Sequence, residues 1–163
     1  MKTLLIVWHS RTGGAQQMAE AASSGAADET AIRTRMLPAA QAEPEDVLAA
    51  DGYLFATPEN LAALAGVMKD FFDRCYYPAL DRINGRPYAC AISAGSDGSN
   101  AARQIARIVT GWRLRPVAEP LIVCTRAQTP EAILAPKRIE AADLARCRDL
   151  GAALAAGMAA GIF

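Results

Sequence analysis

Three short segments of the chain are apolar without interruption, and turn-forming or polar residues lie beside each of them. They are Leu4–Trp8, Gly52–Ala56 and Tyr88–Ser93. A short segment that is apolar at every position suits a strand covered on both faces, because a strand with one wet face alternates. Strands buried on both faces are typical of parallel sheets that carry helices on either side. These segments therefore predict the centre of an α/β sheet.

Two further strand candidates have the character of sheet edges. Ala31–Met36 alternates between charged and apolar residues, and Val117–Cys124 contains Pro120, which cannot donate a hydrogen bond to a neighbouring strand. In chain order these edge strands are the second and the fifth. That arrangement matches a five-stranded parallel sheet of order 2-1-3-4-5, the flavodoxin-like doubly wound fold with three α/β/α layers.

Helical patterns fill the intervals between the predicted strands. Ala-rich residues 16–26 and the short segment Pro44–Ala49 suit two helices, and apolar stripes three and four residues apart predict three more. No linker or repeat interrupts the alternation, so we predict a single domain over residues 1–163. The three stripes are Leu64, Met68, Phe71, Phe72 and Cys75; Ala101, Ile105, Ile108, Val109 and Trp112; and Leu144, Cys147, Gly151, Leu154 and Met158.

The composition argues against some classes of binding partner and indicates the redox compartment of the protein. Seventeen basic residues balance 17 acidic ones, which argues against a nucleic-acid-binding face and against a polybasic membrane surface. The apolar residues 150–163 are too few to span a bilayer, and we predict a docked terminal helix there. Four widely spaced cysteines without a signal peptide predict reduced thiols in a cytoplasmic protein, and the lone His9 leaves no metal site.

The turn after the first predicted strand carries the residues expected of an anion site. It reads HSRTGGAQQ, residues 9–17. Ligands of doubly wound sheets bind beyond the carboxyl ends of the strands, and a helix that begins there presents unpaired N–H groups. Ser10 and Thr12 add hydroxyl donors and Arg11 adds positive charge, so we predict a phosphate site. The turn matches neither G-x-x-x-x-G-K-[ST] nor G-x-G-x-x-G, which disfavours a nucleoside triphosphatase and a dinucleotide site.

The segment after the third predicted strand is the most specific stretch of the chain. It reads TPENLAALAGVMKDFFDR, residues 57–74. An amphipathic helix after a proline turn would explain Met68 and Phe72. It would not explain the pair Thr57–Pro58 at the sheet edge where ligands collect. Glu59, the next residue, either faces a ligand or points into water.

A third polar loop leaves the fourth predicted strand at the same edge. It reads SAGSDGSNAARQ, residues 93–104, with two glycines that allow close approach of the backbone. The alternative is an ordinary loop in which Ser99 or Asn100 caps the next helix. Its position gives it weight, because three loops at one sheet edge can surround one ligand.

Taken together, these segments resemble flavodoxin-like FMN proteins, from about residue 3 to about residue 125. The pattern Ser-x-Thr-Gly is similar to the flavodoxin phosphate loop. Thr-Pro followed by small-Gly-x-Met-Lys-x-Phe-x-Asp is similar to NAD(P)H-dependent FMN and quinone reductases of this fold. The resemblance implies FMN as cofactor, bound at its phosphate by Ser10, Arg11, Thr12, Gly13, Gly14 and Ala15, and around its flavin ring and ribityl chain by Thr57, Pro58, Glu59, Asn60, Leu61, Ser93, Ala94, Gly95, Ser96, Asp97 and Gly98.

The chain departs from the family pattern at several positions. The usual phosphate loop is Thr-Gly-Asn-Thr, whereas Gly14 here replaces the Asn and Ala15 the final Thr. One hydroxyl contact is therefore absent, so Arg11 and backbone N–H groups would carry more of the phosphate binding. Neither residues 57–63 nor residues 93–99 include the Tyr or Trp that carrier flavodoxins usually stack on the flavin. The neutral charge balance also differs from their usual acidity.

For function, the resemblance implies an NAD(P)H-dependent oxidoreductase. An unstacked flavin face leaves room for a nicotinamide ring, so hydride would pass from NAD(P)H through FMN to a quinone or similar small electron acceptor. No catalytic side chain is needed, and N–H groups near Gly95–Gly98 would stabilise charge on the reduced ring.

Two alternatives to this function stay open. The first is a flavodoxin-type electron carrier that docks to redox partner proteins, and the second is a domain that has lost its flavin. Relatives of this kind often form dimers or tetramers, so self-association as a homodimer or homotetramer is a further expectation. The nicotinamide preference and the acceptor are not determined by these residues.

Overall fold

The computed structural model describes all residues, 1–163. Strands and helices alternate along most of the chain, as the apolar patterns predict. The strands are β1 (Lys2–Trp8), β2 (Ile32–Pro38), β3 (Gly52–Asn60), β4 (Ala63–Leu64), β5 (Pro87–Ala94), β6 (Arg115–Pro116) and β7 (Leu121–Cys124). The helices are α1 (Gly14–Ala26), α2 (Pro44–Ala49), α3 (Gly66–Ala79), α4 (Ser99–Gly111), α5 (Pro130–Leu134) and α6 (Ala141–Ala159).

The main strands form one parallel sheet in the order β2-β1-β3-β5, followed by β6 and β7, which both pair with β5. In this register Leu4 of β1 lies between Thr34 of β2 and Gly52 of β3. The predicted flavodoxin-like order 2-1-3-4-5 is confirmed, with β5 as its fourth strand and β6 and β7 sharing the fifth position.

The fifth position differs in detail from the sequence prediction. We expected one strand over Val117–Cys124, whereas β6 ends at Pro116 and β7 begins only after Pro120. Neither proline has an N–H group to donate to β5. The chain therefore leaves the sheet between the two prolines and returns to it at Leu121.

The third strand is longer than expected. Its apolar part ends at Ala56, but β3 continues to Asn60 and turns back through β4, which pairs with it in antiparallel register. The predicted loop at residues 57–61 is thus the first arm and turn of a hairpin that projects beyond the sheet edge. We call residues 57–64 the β3–β4 hairpin.

Two apolar layers cover the sheet. On one side, Phe55 contacts Phe72 and Trp112 edge-on, with ring centroids 4.9 and 6.4 Å away, beneath α3 and α4. On the other side, Leu4 and Ile6 pack under α1 and α6. Alternate side chains of each central strand point into opposite layers, and both layers are apolar. The strands are therefore apolar at every position.

The last helix packs against the first, so the predicted docking of the C-terminal segment is confirmed. The two backbones approach so closely that a Cβ on Gly25 would overlap the carbonyl oxygen of Arg148, and a Cβ on Gly151 would overlap that of Ala22. None of the helices combines the length and apolarity needed to cross a lipid bilayer.

Candidate functional site at the carboxyl edge of the sheet

A cleft of about 490 Å³ opens at the carboxyl edge of the sheet, where the three predicted segments meet. Parallel strands present their carboxyl ends on the same edge, so loops distant in sequence meet there. The cleft is lined by Arg11, Thr12, Pro58, Glu59, Asn60, Leu61, Ala62, Ser93, Ala94, Gly95, Ser96, Thr125, Ala127, Ile133 and Lys137.

The first turn leaves its backbone N–H groups free. The Oγ atom of Ser10 accepts a hydrogen bond from the N–H of Gly13 (2.9 Å), while no protein atom accepts from the N–H groups of residues 10–12 and 14–16. Gly13 is the N-cap of α1 and has φ of 95°, a conformation that disfavours any residue with a side chain. The first turn of α1 has no acidic residue. Free donors at a helix N-terminus without a carboxylate suit a phosphate group.

One glutamine fixes the shape of this turn. The Nε2 atom of Gln17 donates to the carbonyls of Gly13 (2.9 Å) and Lys137 (2.7 Å), and its Oε1 atom accepts from the N–H of Ile139 (3.1 Å). The N–H of Lys137 also donates to the carbonyl of Thr12 at 2.7 Å. The segment before α6 is thereby tied to the turn.

The first and third segments are in direct contact through Gly14. A Cβ at this position would overlap the Oγ atom of Ser93 at the end of β5. The family's usual asparagine could not occupy position 14 unless the Ser93 side chain moved. The departure from the family pattern therefore has a steric reason in this chain.

The turn of the β3–β4 hairpin has an uncommon conformation. Leu61 and Ala62 both have positive φ, 49° and 61°, which is the geometry of a type I′ turn usually built from Asn and Gly. The Nδ2 atom of Asn100 holds this turn by donating to the carbonyl of Ala62 at 2.5 Å. Leu61 is fully exposed and lies at the cleft.

Glu59 lies at the cleft, but both of its carboxylate oxygens are hydrogen-bonded within the protein. Its carboxylate accepts hydrogen bonds from the N–H of Gly98 (2.9 Å) and the N–H of Ala101 (3.1 Å). Glu59 therefore caps α4, although it lies on a strand 39 residues before Gly98. The alternative that Ser99 or Asn100 is the cap is wrong, because Gly98 occupies the N-cap position with φ of 84°. The cap also joins the second segment to the third.

The third segment presents free N–H groups at the cleft. No protein atom accepts from the N–H groups of Gly95, Ser96 or Asp97. The N–H of Gly98, which we expected to be available as well, is engaged by Glu59. The side chain of Asp97 accepts from the Oγ–H and the N–H of Ser99, and these bonds lower the pKa of Asp97.

A fourth wall of the cleft was not predicted. Thr125 and Ala127 follow β7, and Ile133 and Lys137 belong to α5 and the chain after it. The ammonium group of Lys137 donates to three carbonyls at the end of α5, which leaves it little capacity to bind an anion. The pair Thr129–Pro130 could have predicted the start of α5, because Thr129 caps the helix and proline suits its first turn.

Some of the residues assigned to the site by resemblance frame the cleft without lining it. Thr57 is fully buried, and its hydroxyl accepts from the N–H of Ala65 at 3.4 Å, just before α3. Ala15 is buried beneath the first turn. The residues that lie outside the lining are Ser10, Gly13, Gly14, Ala15, Thr57, Asp97 and Gly98.

Three further features bear on the chemistry of the cleft. Partial burial and the charge of Arg11 lower the pKa of His9, so this side chain is neutral near pH 7. No group of three or more His, Cys, Asp or Glu side chains is placed to hold a metal ion. The lining also contains no aromatic ring.

Fold and cleft together define a flavodoxin-like protein whose first turn has backbone N–H groups without acceptors at the sheet edge. Residues 8–129 match the NADPH-dependent FMN reductase family, and the chain belongs to that family. The family match includes the first three cleft walls and, of the fourth, Thr125 and Ala127.

Named relatives agree with this assignment. A flavodoxin of Aquifex aeolicus is 33% identical over 106 residues, covering 65% of this chain and 56% of that protein. An NAD(P)H-dependent FMN reductase of Pseudomonas aeruginosa is 32% identical over 93 residues, covering 56% of this chain and 50% of the relative. The chain thus spans about half the length of these relatives.

Solved structures share the whole fold at low identity. An archaeal flavodoxin superposes with a TM-score of 0.76 at 16% identity, covering 94% of this chain and 96% of the other. A WrbA-like flavodoxin of Agrobacterium tumefaciens gives 0.68 at 19% identity and covers 99% of both chains. At these identities the likeness concerns the fold alone.

Proposed function

We propose that the cleft binds FMN and that the chain is an NAD(P)H-dependent oxidoreductase for a quinone or a similar small electron acceptor. The observation that carries this proposal is the meeting of the first turn, the β3–β4 hairpin and residues 93–98 around one cleft. Membership of the NADPH-dependent FMN reductase family supports the same activity.

The first turn would hold the phosphate of FMN. The N–H groups of residues 10–12 and 14–16 have no acceptor within the protein, and Arg11 has no carboxylate partner. The hydroxyl of Ser10 keeps its proton free to donate, because its oxygen already accepts from Gly13. These donors would replace the phosphate contact of the threonine hydroxyl that the family has at the position of Ala15.

The remaining walls would position the flavin ring. Bound FMN supplies hydride transfer from NAD(P)H to the acceptor. Glu59 anchors the adjoining Gly98 and Ala101, and the free N–H groups of residues 95–97 would stabilise negative charge on the bound ring. Pro58 and Leu61 offer aliphatic surface in place of an aromatic ring, which leaves room for a second planar group.

The protein would act by positioning the flavin and its reaction partner rather than by acid–base catalysis. Both oxygens of Glu59 are engaged by backbone N–H groups, and the Lys137 ammonium is engaged by carbonyls. No other carboxylate, and no histidine or cysteine, lines the cleft. Rate enhancement would therefore come from holding two planar groups in contact.

Location and assembly extend this proposal. The chain has four free cysteines, of which three are buried, and this supports a cytoplasmic protein. The exposed side chains of Leu61 and Ile133 lie at the cleft, and Leu134 next to Ile133 is exposed as well; these apolar side chains support self-association as a homodimer or homotetramer.

A second candidate function is that of a flavodoxin-type electron carrier. The relative from Aquifex aeolicus named as a flavodoxin supports it. The absence of aromatic residues from the cleft lining and the zero net charge favour the oxidoreductase instead.

The visible spectrum of the purified protein tests these functions. We expect a flavin spectrum, present as purified or after FMN is added, that bleaches when NADPH or NADH is added without oxygen and returns when a quinone is supplied. Bound FMN that stays oxidised with both nucleotides would identify a carrier. A protein that takes up no FMN would exclude both functions.

A further inference from the structure

A second cavity, of about 680 Å³, lies beside the β3–β4 hairpin, between it and α4. We call it the basic groove, and the residues that define it here are Gly66, Lys69, Asn100, Arg103 and Arg107. The cofactor cleft described above does not include any of these residues. The groove is therefore a separate feature that the proposed function does not use.

The charges of the basic groove are all of one sign. Lys69, Arg103 and Arg107 line it, and no acidic side chain does. Lys69 is paired with Asp73 at 2.7 Å, whereas neither arginine forms an ion pair or a hydrogen bond within the protein. Arg103 and Arg107 are four residues apart on α4, a spacing at which like charges repel. An anion between them would relieve that repulsion.

The basic groove and the cleft are separated by the hairpin turn alone. Ala62 lines the cleft, and its neighbour Ala63 lines the groove. The Asn100 side chain, which lines the groove, donates to the carbonyl of Ala62 and so holds the shared wall. The two cavities therefore lie next to each other on either side of the hairpin turn.

We propose that the basic groove binds the adenosine end of the nicotinamide nucleotide, with Arg103 and Arg107 contacting its 2′-phosphate. This inference rests on the proposed function, because it places the donor's nicotinamide in the cleft. Guanidinium groups pair with phosphate through two parallel hydrogen bonds, so two free arginines suit the phosphate that distinguishes NADPH from NADH. In this proposal, Arg103 and Arg107 are the residues by which the chain discriminates NADPH from NADH.

Loss of the two charges provides the first test. In the variant Arg103→Gln with Arg107→Gln, we expect the KM for NADPH to rise roughly tenfold or more, with kcat and the KM for NADH almost unchanged. Arg115→Gln is the matched control, since Arg115 is exposed in β6 and lies outside the groove. Equal changes for both nucleotides, or no change, would overturn the proposal.

Filling the groove provides a second, independent test. A Cβ on Gly66 would meet no atom within 4 Å, and Gly66 lines the groove, so Gly66→Phe introduces a ring there, with thermal unfolding as the check that the fold is retained. We expect it to raise the KM for both nucleotides while FMN affinity stays the same. Unaltered KM values in this variant would also overturn the proposal.

Direct binding separates this inference from the proposed function. Adenosine 2′,5′-bisphosphate should bind the FMN-loaded wild type in calorimetry, and the double arginine variant should lose that binding, whether or not the protein turns over NADPH. An absence of binding to the wild type would overturn the groove assignment even if NADPH is oxidised. Sedimentation showing that the arginine substitutions dissociate an oligomer would overturn it as well, since the groove would then be an interface between copies.

Discussion

The carboxylate of Glu59, at the end of β3, accepts a hydrogen bond from the N–H of Ala101 in the first turn of α4. This bond crosses from one cleft wall to the other. The same carboxylate also accepts from the N–H of Gly98. One side chain thus caps α4 and holds the end of the third segment in place.

Replacement of Glu59 by Ala is expected to lower the free energy of unfolding by about 0.5–2 kcal/mol, the usual cost of losing a helix cap. It should also weaken FMN binding, because residues 95–98 lose their anchor. Urea denaturation and an FMN titration measure the two effects. Glu119→Ala, an exposed glutamate without a hydrogen bond, is the control, and equal effects of both variants would argue against the capping role.

Replacement of Arg11 by Gln is expected to raise the Kd for FMN roughly tenfold, which corresponds to about 1.4 kcal/mol. Riboflavin lacks the phosphate, so its Kd should not change. Fluorescence titration measures both constants, with Arg33→Gln on β2 as a control of equal charge. A similar loss of affinity for riboflavin would place Arg11 away from the phosphate.

His9 should titrate below the ordinary histidine pKa of 6.5, because burial and Arg11 both disfavour its charged form. The unfolded chain then binds more protons below pH 6.5, so the His9 contribution to stability is complete above that pH and declines as the pH falls toward the folded-state value. NMR of the single histidine follows this titration. The pKa should rise in Arg11→Gln and on addition of FMN, and a pKa unchanged by both would contradict the proposed phosphate position.

Thiol reactivity should be confined to one cysteine. Burial raises the pKa of Cys75 and of Cys90 to about 12 and that of Cys147 to about 11, whereas Cys124 is exposed. At pH 8 we expect Ellman's reagent to modify one thiol per native chain and all four in denaturant. Cys124→Ser should abolish the native reaction, and residual labelling would show that a buried cysteine becomes accessible.

Two glycine substitutions should have opposite effects on stability. Gly151→Ala forces a methyl group into the backbone of α1 and should cost about 1–3 kcal/mol. Gly111→Ala meets no atom within 4 Å and should stabilise α4 by roughly 0.4–1 kcal/mol. Thermal unfolding of the two variants checks the sign of each change, and destabilisation by both would indicate a general intolerance of alanine.

The sheet and its order could be predicted from local patterns, because burial on both faces leaves a continuous apolar segment at each central strand. The same holds for the first turn, in which neighbouring residues supply all the donors. The β3–β4 hairpin could not be predicted in this way, since Leu61 and Ala62 carry none of the usual signals for positive φ.

By itself, the sequence determined the central strands and their order in the sheet, and it placed donors suited to a phosphate in the turn after the first strand. Only the tertiary structure decided that Glu59 caps α4, that Ser93 packs against Gly14, and that residues 125–137 close the cleft. The physical reason is the range of the interactions. Apolar periodicity and helix propensity act within a few residues, whereas these contacts join segments tens of residues apart whose meeting depends on the packing of the whole sheet.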